Sequence, residues 1–387
     1  MGKKYAAAQA IFALGPHQAN FQTDAVFDDD PKNCRQIVKE GYDFAEFDSA
    51  SVDNAGESTG SALPDEIYPT RDSTRASAVQ QLSFQLLGIH AFDAFGIVTT
   101  EVVLANQVWK HTFELLDPFI NAILPCRPLI IKGGGEVAVQ ANQIYDALMK
   151  SMTYSRFTLT ADSSSQKPNL QLSSEWVGSG QFTEPSNLQF FGTGGKVIGR
   201  KDIIAAHNAR INKFGGVVTF YPEEEFAGGA IATDCIVRNF STSIDEGLNV
   251  EGGYGVCGLF QDGDPTKGAI AGSLDTGGQK VDSSVTMDAD SDFISDFELY
   301  ERIKKKTPFS MKTVYTGDII TGAHRHKATF LYRKAAVVGH GFPEIAGGKR
   351  GLNLNLGMLS QGNKQPFALE LITNVADFGT YMGLAPA

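Results

Sequence analysis

Apolar and polar residues alternate with a period of two along much of this chain. In residues 169–180, NLQLSSEWVGSG, Leu170, Leu172 and Trp176 share one parity, while Asn169, Gln171, Ser173 and Glu175 share the other. That alternation predicts a strand with one face on a core and the other toward water or a partner. Gly178-Ser179-Gly180 ends it with small residues that let backbones pass closely. Similar patterning predicts strands in SAVQQLSFQLLG, FGIVTTEVVL, HTFELLDP, RPLIIKGGGE, SRFTLTAD, GGVVTFYP, ATDCIVRNFSTSIDEGL, GAIAGSLDT, HKATFLYRKAAVVG, GLNLNLGML and PFALELITN. Turns rich in Gly, Asp, Asn and Pro separate them, the punctuation of an antiparallel sandwich or barrel. Regular helices do not interleave with these strands, which argues against a doubly wound α/β fold.

Three stretches carry a helical period instead. In SDFISDFELYERIKKK, about residues 291–306, Phe293, Phe297 and Tyr300 recur at i, i+4 and i+7, with Ile294 and Ile303 beside them. Ser291 or Asp292 can cap its start, and Lys304, Lys305 and Lys306 suit the negative end of its dipole. KDIIAAHNARINKFGG, closed by Gly215, predicts a second helix, and QANQIYDALMKSM a third that runs straight into a strand. The fold class is therefore mainly β with a few helices, an antiparallel sandwich with a packed helix.

Residues 21–75 stand apart from this pattern. They hold 13 acidic and five basic residues, a balance of −8 out of the chain's −11. This composition predicts either a polar arm or a solvated linker, so the chain divides into residues 1–75 and a β-rich domain at 76–387. Spaced apolar residues in it, Phe27, Tyr42, Phe44, Phe47 and Ile67, favour an arm that anchors on a neighbour.

Charge and cysteine usage narrow the function classes. With 33 Lys+Arg against 44 Asp+Glu, the chain lacks the clustered cations that grip phosphates. Cys34, Cys126, Cys235 and Cys257 form no CxxC pair, which points to reduced, buried thiols. Lys3 and Lys4 precede an apolar run that Gln9 interrupts, and no cleavage site follows. No stretch reaches membrane-spanning length, so a soluble protein made in a cytoplasm is expected.

Candidate chemistry is sparse. Asp288, Asp290 and Asp292 alternate as in a calcium loop, but Phe293 stands where that loop needs Gly and Leu299 where it needs Glu. His324 and His326 share a strand face without a third ligand, beside Arg325 and Lys327. GTGGKVIG and AGGKRG lack the spacing of a phosphate loop and predict glycine turns. Glu223, Glu224 and Glu225 are consecutive, so on a strand they point different ways, and Asn239 fits a glycosylation pattern without a secretory context. No catalytic, cofactor-binding or metal-binding residue is predicted, and the chain is expected not to be an enzyme.

The order of its segments resembles the tail tube (major tail) proteins of long-tailed bacteriophages. The resemblance rests on SAVQQLSFQLLG, LPCRPLIIKGG, SRFTLTAD with PNLQLSSEWVGSG, IVRNFSTSIDEGLNVEGGYG, TKGAIAGSLDTG, and the late block KAAVVGHGFPEIAGGKRGLNLNLGM with PFALELITN. It spans about residues 30–375 as loose patterns, while residues 1–20 have no counterpart in it. It implies a β-sandwich with a packed helix that forms hexameric rings, stacked into a hollow tube through which double-stranded DNA passes. The partners implied are the chain itself and other tail proteins such as terminator, tape measure and distal tail proteins, with no membrane and no cofactor. The implied location is the virion tail, after synthesis in the bacterial cytoplasm. The net charge leads us to expect an acidic lumen wall, along which phosphates slide rather than bind. Other sandwich readings are a distal tail, connector or capsid-decoration protein, or a carbohydrate-binding or hydrolytic module. A lectin needs an aromatic platform, and the chain offers only Trp109 and Trp176.

Overall fold

The computed structural model describes residues 11–14, 35–36, 42–53, 67–115, 127–132, 146–183, 191–192, 196–197, 209–233, 236–250 and 253–378, apart from 256–258, 261–262, 274, 277–278, 346 and 361–364. The alternating segments pair into two layers, and all the ladders within them are antiparallel. The first layer takes β3 (Gly96–Leu104), β4 (Val108–Leu115), β8 (Gly216–Tyr221), β11 (Phe309–Thr321), β12 (His324–Gly341) and β14 (Phe367–Thr373). Its order is β3–β4–β14–β12–β11–β8. The second layer takes β1 (Tyr42–Asp53), β2 (Ile67–Gln81), β6 (Asp146–Asp162), β7 (Gln171–Gly178), β9 (Val237–Asp245), β10 (Lys280–Asp288) and β13 (Lys349–Met358). Its order is β1–β2–β7–β6–β9–β10–β13. Strand β5 (Arg127–Lys132) pairs with the N-terminal part of β6.

Strand β12 belongs to both layers. Its Lys327–Tyr332 half pairs with β14, and its Ala335–Gly341 half pairs with β13. Ala328 to Tyr332 of this strand are buried on both faces, and α1 (Phe84–Phe95) is among the elements that contact it. Phe330, Tyr332, Phe240, Phe309 and Phe367 are all buried in the shared core.

Helix α1 (Phe84–Phe95) is buried in this core and contacts β3 and β4 of one layer and β6 of the other. Ser83 caps its start by accepting the Leu86 amide at 3.1 Å, and Gly96 ends it in the left-handed region at φ 81°. The strand expected across SAVQQLSFQLLG therefore stops at Gln81. A helix buried on nearly every side has no polar face, so its stretch lacks the stripe that distinguishes helix from strand.

Two other helix expectations are corrected. QANQIYDALMKSM contributes from Asp146 onward to strand β6, because β5 and β7 pair along it and ladder formation outweighs local helix preference. SDFISDFELYERIKKK forms two short helices, α2 (Ser291–Asp296) and α3 (Leu299–Lys305), rather than one. Glu298 breaks them apart in the left-handed region, at φ 51° and ψ 41°. That break turns Leu299 and Arg302 into the core and leaves Tyr300 exposed. The cap is Asp290, whose carboxylate accepts the Asp292 and Phe293 amides at 3.0 and 2.9 Å, rather than Ser291 or Asp292. Residues 201–208 of KDIIAAHNARINKFGG lie outside the described residues; in the rest, Arg210 and Asn212 make isolated β-bridges to Ser83 and Asn169, and Lys213–Gly215 is a single 3-10 turn rather than the end of a helix.

Within the acidic segment the described residues are Arg35–Gln36, which pair with Ala13 and Leu14, and the β1–β2 hairpin; β2 continues through residues 75 and 76 to pair with β7. Tyr42, Phe44 and Phe47 fall in β1 and Ile67 begins β2, while Phe27 lies outside the described residues.

Candidate assembly surfaces

β3 is an edge strand whose outer rim pairs with no strand among the described residues. From Thr99 through Gln107 every residue is exposed, so this ribbon projects with both faces uncovered. Its apolar members are Val102, 64% exposed, with Val103 and Leu104 after it. Asn106, at φ 59°, turns the chain into β4. The ribbon's base is pinned. His111 on β4 donates Nε2–H to the Val375 carbonyl at 2.8 Å, which leaves Nδ1 to accept the Thr100 hydroxyl at 2.9 Å. Burial holds the His111 pKa below its ordinary value, so the ring is neutral in this role.

At the other end of the same layer lies β8. It pairs with β11 along its length, but on its other side, among the described residues, only Thr219 and Phe220 meet Ile231–Ala232. Beside Gly216–Val218 a slot of about 480 Å³ opens between the layers, lined by Val218, Val237, Phe240 and Tyr315, with Phe214 and Val217 at its mouth. Those two are 66% and 61% exposed. The slot's cations are Lys213 and Arg238. Arg238 is committed to Asp288 through two hydrogen bonds of 2.8 and 2.6 Å, which hold the Asp288 pKa below the usual carboxylate range. Lys213 is buried and donates to the Asp162 and Ser165 carbonyls, with no carboxylate bonded to it among the described residues.

A third surface is the part of the β1–β2 ladder that β7 does not cover. β7 covers only Thr74–Gln81 of β2, so Val52, Ile67 and Tyr68 stand exposed beyond it. An excursion between β9 and β10 supports the hairpin lower down, where the Tyr254 hydroxyl donates to the Asp72 carbonyl and Ala269 bridges to Arg71. Gly180, at φ 92°, passes so close that a Cβ there would sit 2.3 Å from the Asp72 carbonyl oxygen. The glycine ending of residues 169–180 thus serves a backbone approach within the chain.

The opening alternation is strand β7, with Leu170, Leu172 and Trp176 buried and Gln171, Ser173 and Glu175 half-buried on the outer face. Neighbouring strands continue that face with small hydroxyls, such as the Thr158–Ser243 pair at 2.9 Å. Its charges neutralise one another, since Arg156 bonds Asp245 at 2.8 Å and Glu175 at 3.5 Å. That bond holds Asp245 below the usual carboxylate range.

The residues weighed for chemistry are dispersed. Asp288 pairs with Arg238 and Asp290 caps α2. His326 is buried and stacked on Phe84 with ring centres 5.3 Å apart, its pKa lowered by burial, whereas His324 is only half-buried. Glu224 bonds Lys334 at 3.2 Å in a turn that also holds Glu223 and Glu225. The Asn239 side chain accepts the Ser163 amide at 3.2 Å. Gly347 and Gly348 form the turn before β13, and the four cysteines lie outside the described residues. Trp176 is a core residue packed on Tyr154, with ring centres 4.9 Å apart. Among the described residues no three His, Cys, Asp or Glu side chains converge on a metal position, and no helix is long and apolar enough to cross a membrane. Sequence reasoning missed the slot, whose walls come from segments far apart in the chain, and the naked ribbon, which looked like any half-buried strand.

No family model matches the chain and no curated protein is similar to it. Among solved structures, the SPP1 tail tube, determined by solid-state NMR and cryo-electron microscopy, is similar over 42% of this chain and 79% of its own, at 11% identity and a TM-score of 0.26.

Proposed function

We propose that this protein is a self-assembling structural subunit of a virion tail, a tail tube protein whose hexameric rings stack around a channel for double-stranded DNA. The observation that carries the reading is β3, an edge strand naked on both faces that presents Val102, Val103 and Leu104 to water. Monomeric proteins blunt such edges with charge, proline or a covering loop, because an open apolar edge invites another chain. The second incomplete edge, β8, lies at the opposite end of the same layer. Contacts between two different edges are head-to-tail, and head-to-tail contacts generate rings or filaments rather than closed twofold dimers. The order of sequence segments that resembles tail tube proteins supports the same reading, as does a surface whose candidate chemical residues are dispersed.

In this reading the chain is not an enzyme and needs no cofactor. It meets itself and other tail proteins, and DNA only in transit along an acidic wall. A distal tail, connector or decoration protein would share these edges but would stop at a defined oligomer. Negative-stain imaging of the purified protein tests the proposal: sixfold rings or tubes are expected, and monodisperse monomers at high concentration would refute it.

A further inference from the structure

We infer that the Glu101–Leu104 tip of one copy enters the slot beside β8 of the next copy, and that this insertion is the contact that propagates assembly. The inference rests on the self-assembly reading and specifies where the subunits join. Three features match. The ribbon carries apolar side chains on both faces, because Val102 lies opposite Trp109 and Leu104 opposite Val108, adjacent residues of β4, with the bulged Val103 between them, so it suits a slot with two walls rather than a flat surface. The slot has such walls, Val218 and Tyr315 from the first layer and Val237 and Phe240 from the second. The charges also agree. Glu101 is exposed and bonded to no cation among the described residues, and it directly precedes the apolar tip. Lys213, buried at the slot, donates to two carbonyls and lies 4.9 Å from the centre of the Phe214 ring at the mouth, a cation with no carboxylate bonded to it among the described residues. Among the described residues no strand pairs with the outer rim of β3 or with Gly216–Val218 on the outer side of β8, so the sheet can continue from the ribbon of one copy to β8 of the next.

The two partners sit at opposite ends of one layer, which makes the contact testable by complementation. Val103→Asp spoils the ribbon and leaves the slot intact, while Val217→Asp spoils the slot and leaves the ribbon intact. Both positions are exposed in the monomer, and circular dichroism checks that each variant folds. Should either not fold, Glu101→Lys replaces the first and Phe214→Ser the second. Each variant alone is expected to raise the concentration for half-assembly about tenfold or more. Mixed in equal amounts, the two should form a 1:1 heterodimer and stop there, read by size-exclusion chromatography with light scattering. Variants that assemble like the parent chain would overturn the inference while leaving self-assembly standing. Loss of assembly without a heterodimer on mixing would also overturn it. A parent chain that stays monomeric would sink the assembly reading itself.

Discussion

Gln279 donates its side-chain amide to Glu246 Oε2 at 2.7 Å, and this bond joins the two ends of the excursion between β9 and β10. Glu246 is buried, and its other carboxyl oxygen has no hydrogen-bond partner. The Glu246 amide donates to the Ser155 carbonyl at 3.0 Å, which fixes the residue against β6. The excursion in turn holds β2 through Tyr254, whose hydroxyl donates to the Asp72 carbonyl, and the end of β7 through Ala271, whose amide donates to the Ser179 carbonyl at 2.8 Å.

Burial pushes the Glu246 carboxyl up to about 8 from 4.5, with the neighbouring Asp245 charge adding to the rise and the Gln279 bond opposing it. The folded chain therefore keeps a proton that the unfolded chain releases. Stability is full below about 4.5 and falls as pH rises toward about 8. The expected loss across that window is roughly 2–5 kcal/mol. Denaturant midpoints measured from pH 5 to pH 9 should fall for the parent chain and stay nearly level for Glu246→Gln. Parallel pH profiles for the two would show that this carboxyl does not set the dependence.

Arg302 is a buried cation without a carboxylate bonded to it among the described residues. It donates to the Phe297, Pro308 and Pro222 carbonyls at 2.7, 3.1 and 2.9 Å and lies over the Phe297 ring, and burial lowers its pKa. These bonds tie α2, α3 and the end of β8 together. Arg302→Met leaves three carbonyls without a donor, and chemical denaturation should register a loss of about 2–4 kcal/mol. A loss under about 1 kcal/mol would mean that water replaces the guanidinium at no cost.

Gly88 on α1 makes room for Phe378, since a Cβ added there would lie 2.0 Å from the Phe378 ring. The ring itself packs edge-on to His111, with centres 4.8 Å apart. Gly88→Ala should cost about 1–3 kcal/mol despite its better helix propensity, and Phe378→Ala about 3–5 kcal/mol. Because the added methyl occupies space the ring vacates, the double variant should cost less than the sum by about 1 kcal/mol or more. Additive losses in thermal unfolding would contradict this packing.

The hairpin end is the counter-example. Val52 and Ile67 are 57% and 68% exposed. Changing both to Ser should leave monomer unfolding within about 0.5 kcal/mol per site. Assembly should weaken, as expected of an arm that anchors on a neighbouring subunit. Tubes of undiminished length in electron micrographs would exclude the hairpin end from the contacts.

Strands were legible wherever one face is wet. Leu172 and Trp176 alternate with Ser173 and Glu175 because a core lies on one side only, and that contrast is written in local composition. Of the late strands, β13 was legible from its apolar alternation and bounding glycines, and β12 from apolar runs bounded by glycine. The start of α2 was visible to within two residues, but the choice of Asp290 over Ser291 or Asp292 as its cap was decided by the backbone geometry.

Alone, the sequence determined the β-rich class, most of the strands and the absence of a recognisable catalytic motif, because these depend on local patterning and residue type. It did not determine α1, whose burial on all sides removes the polar stripe that would announce a helix, nor the break at Glu298 that turns Tyr300 outward. The acidic stretch looked like an arm or linker because charge dominates its composition, yet pairing with β7 makes part of it a strand. The slot and the naked ribbon were decided only by tertiary structure. Exposure of Val102 and Val217 depends on which strands end up at the edges of a layer, and edge position comes from pairings between segments far apart in the chain.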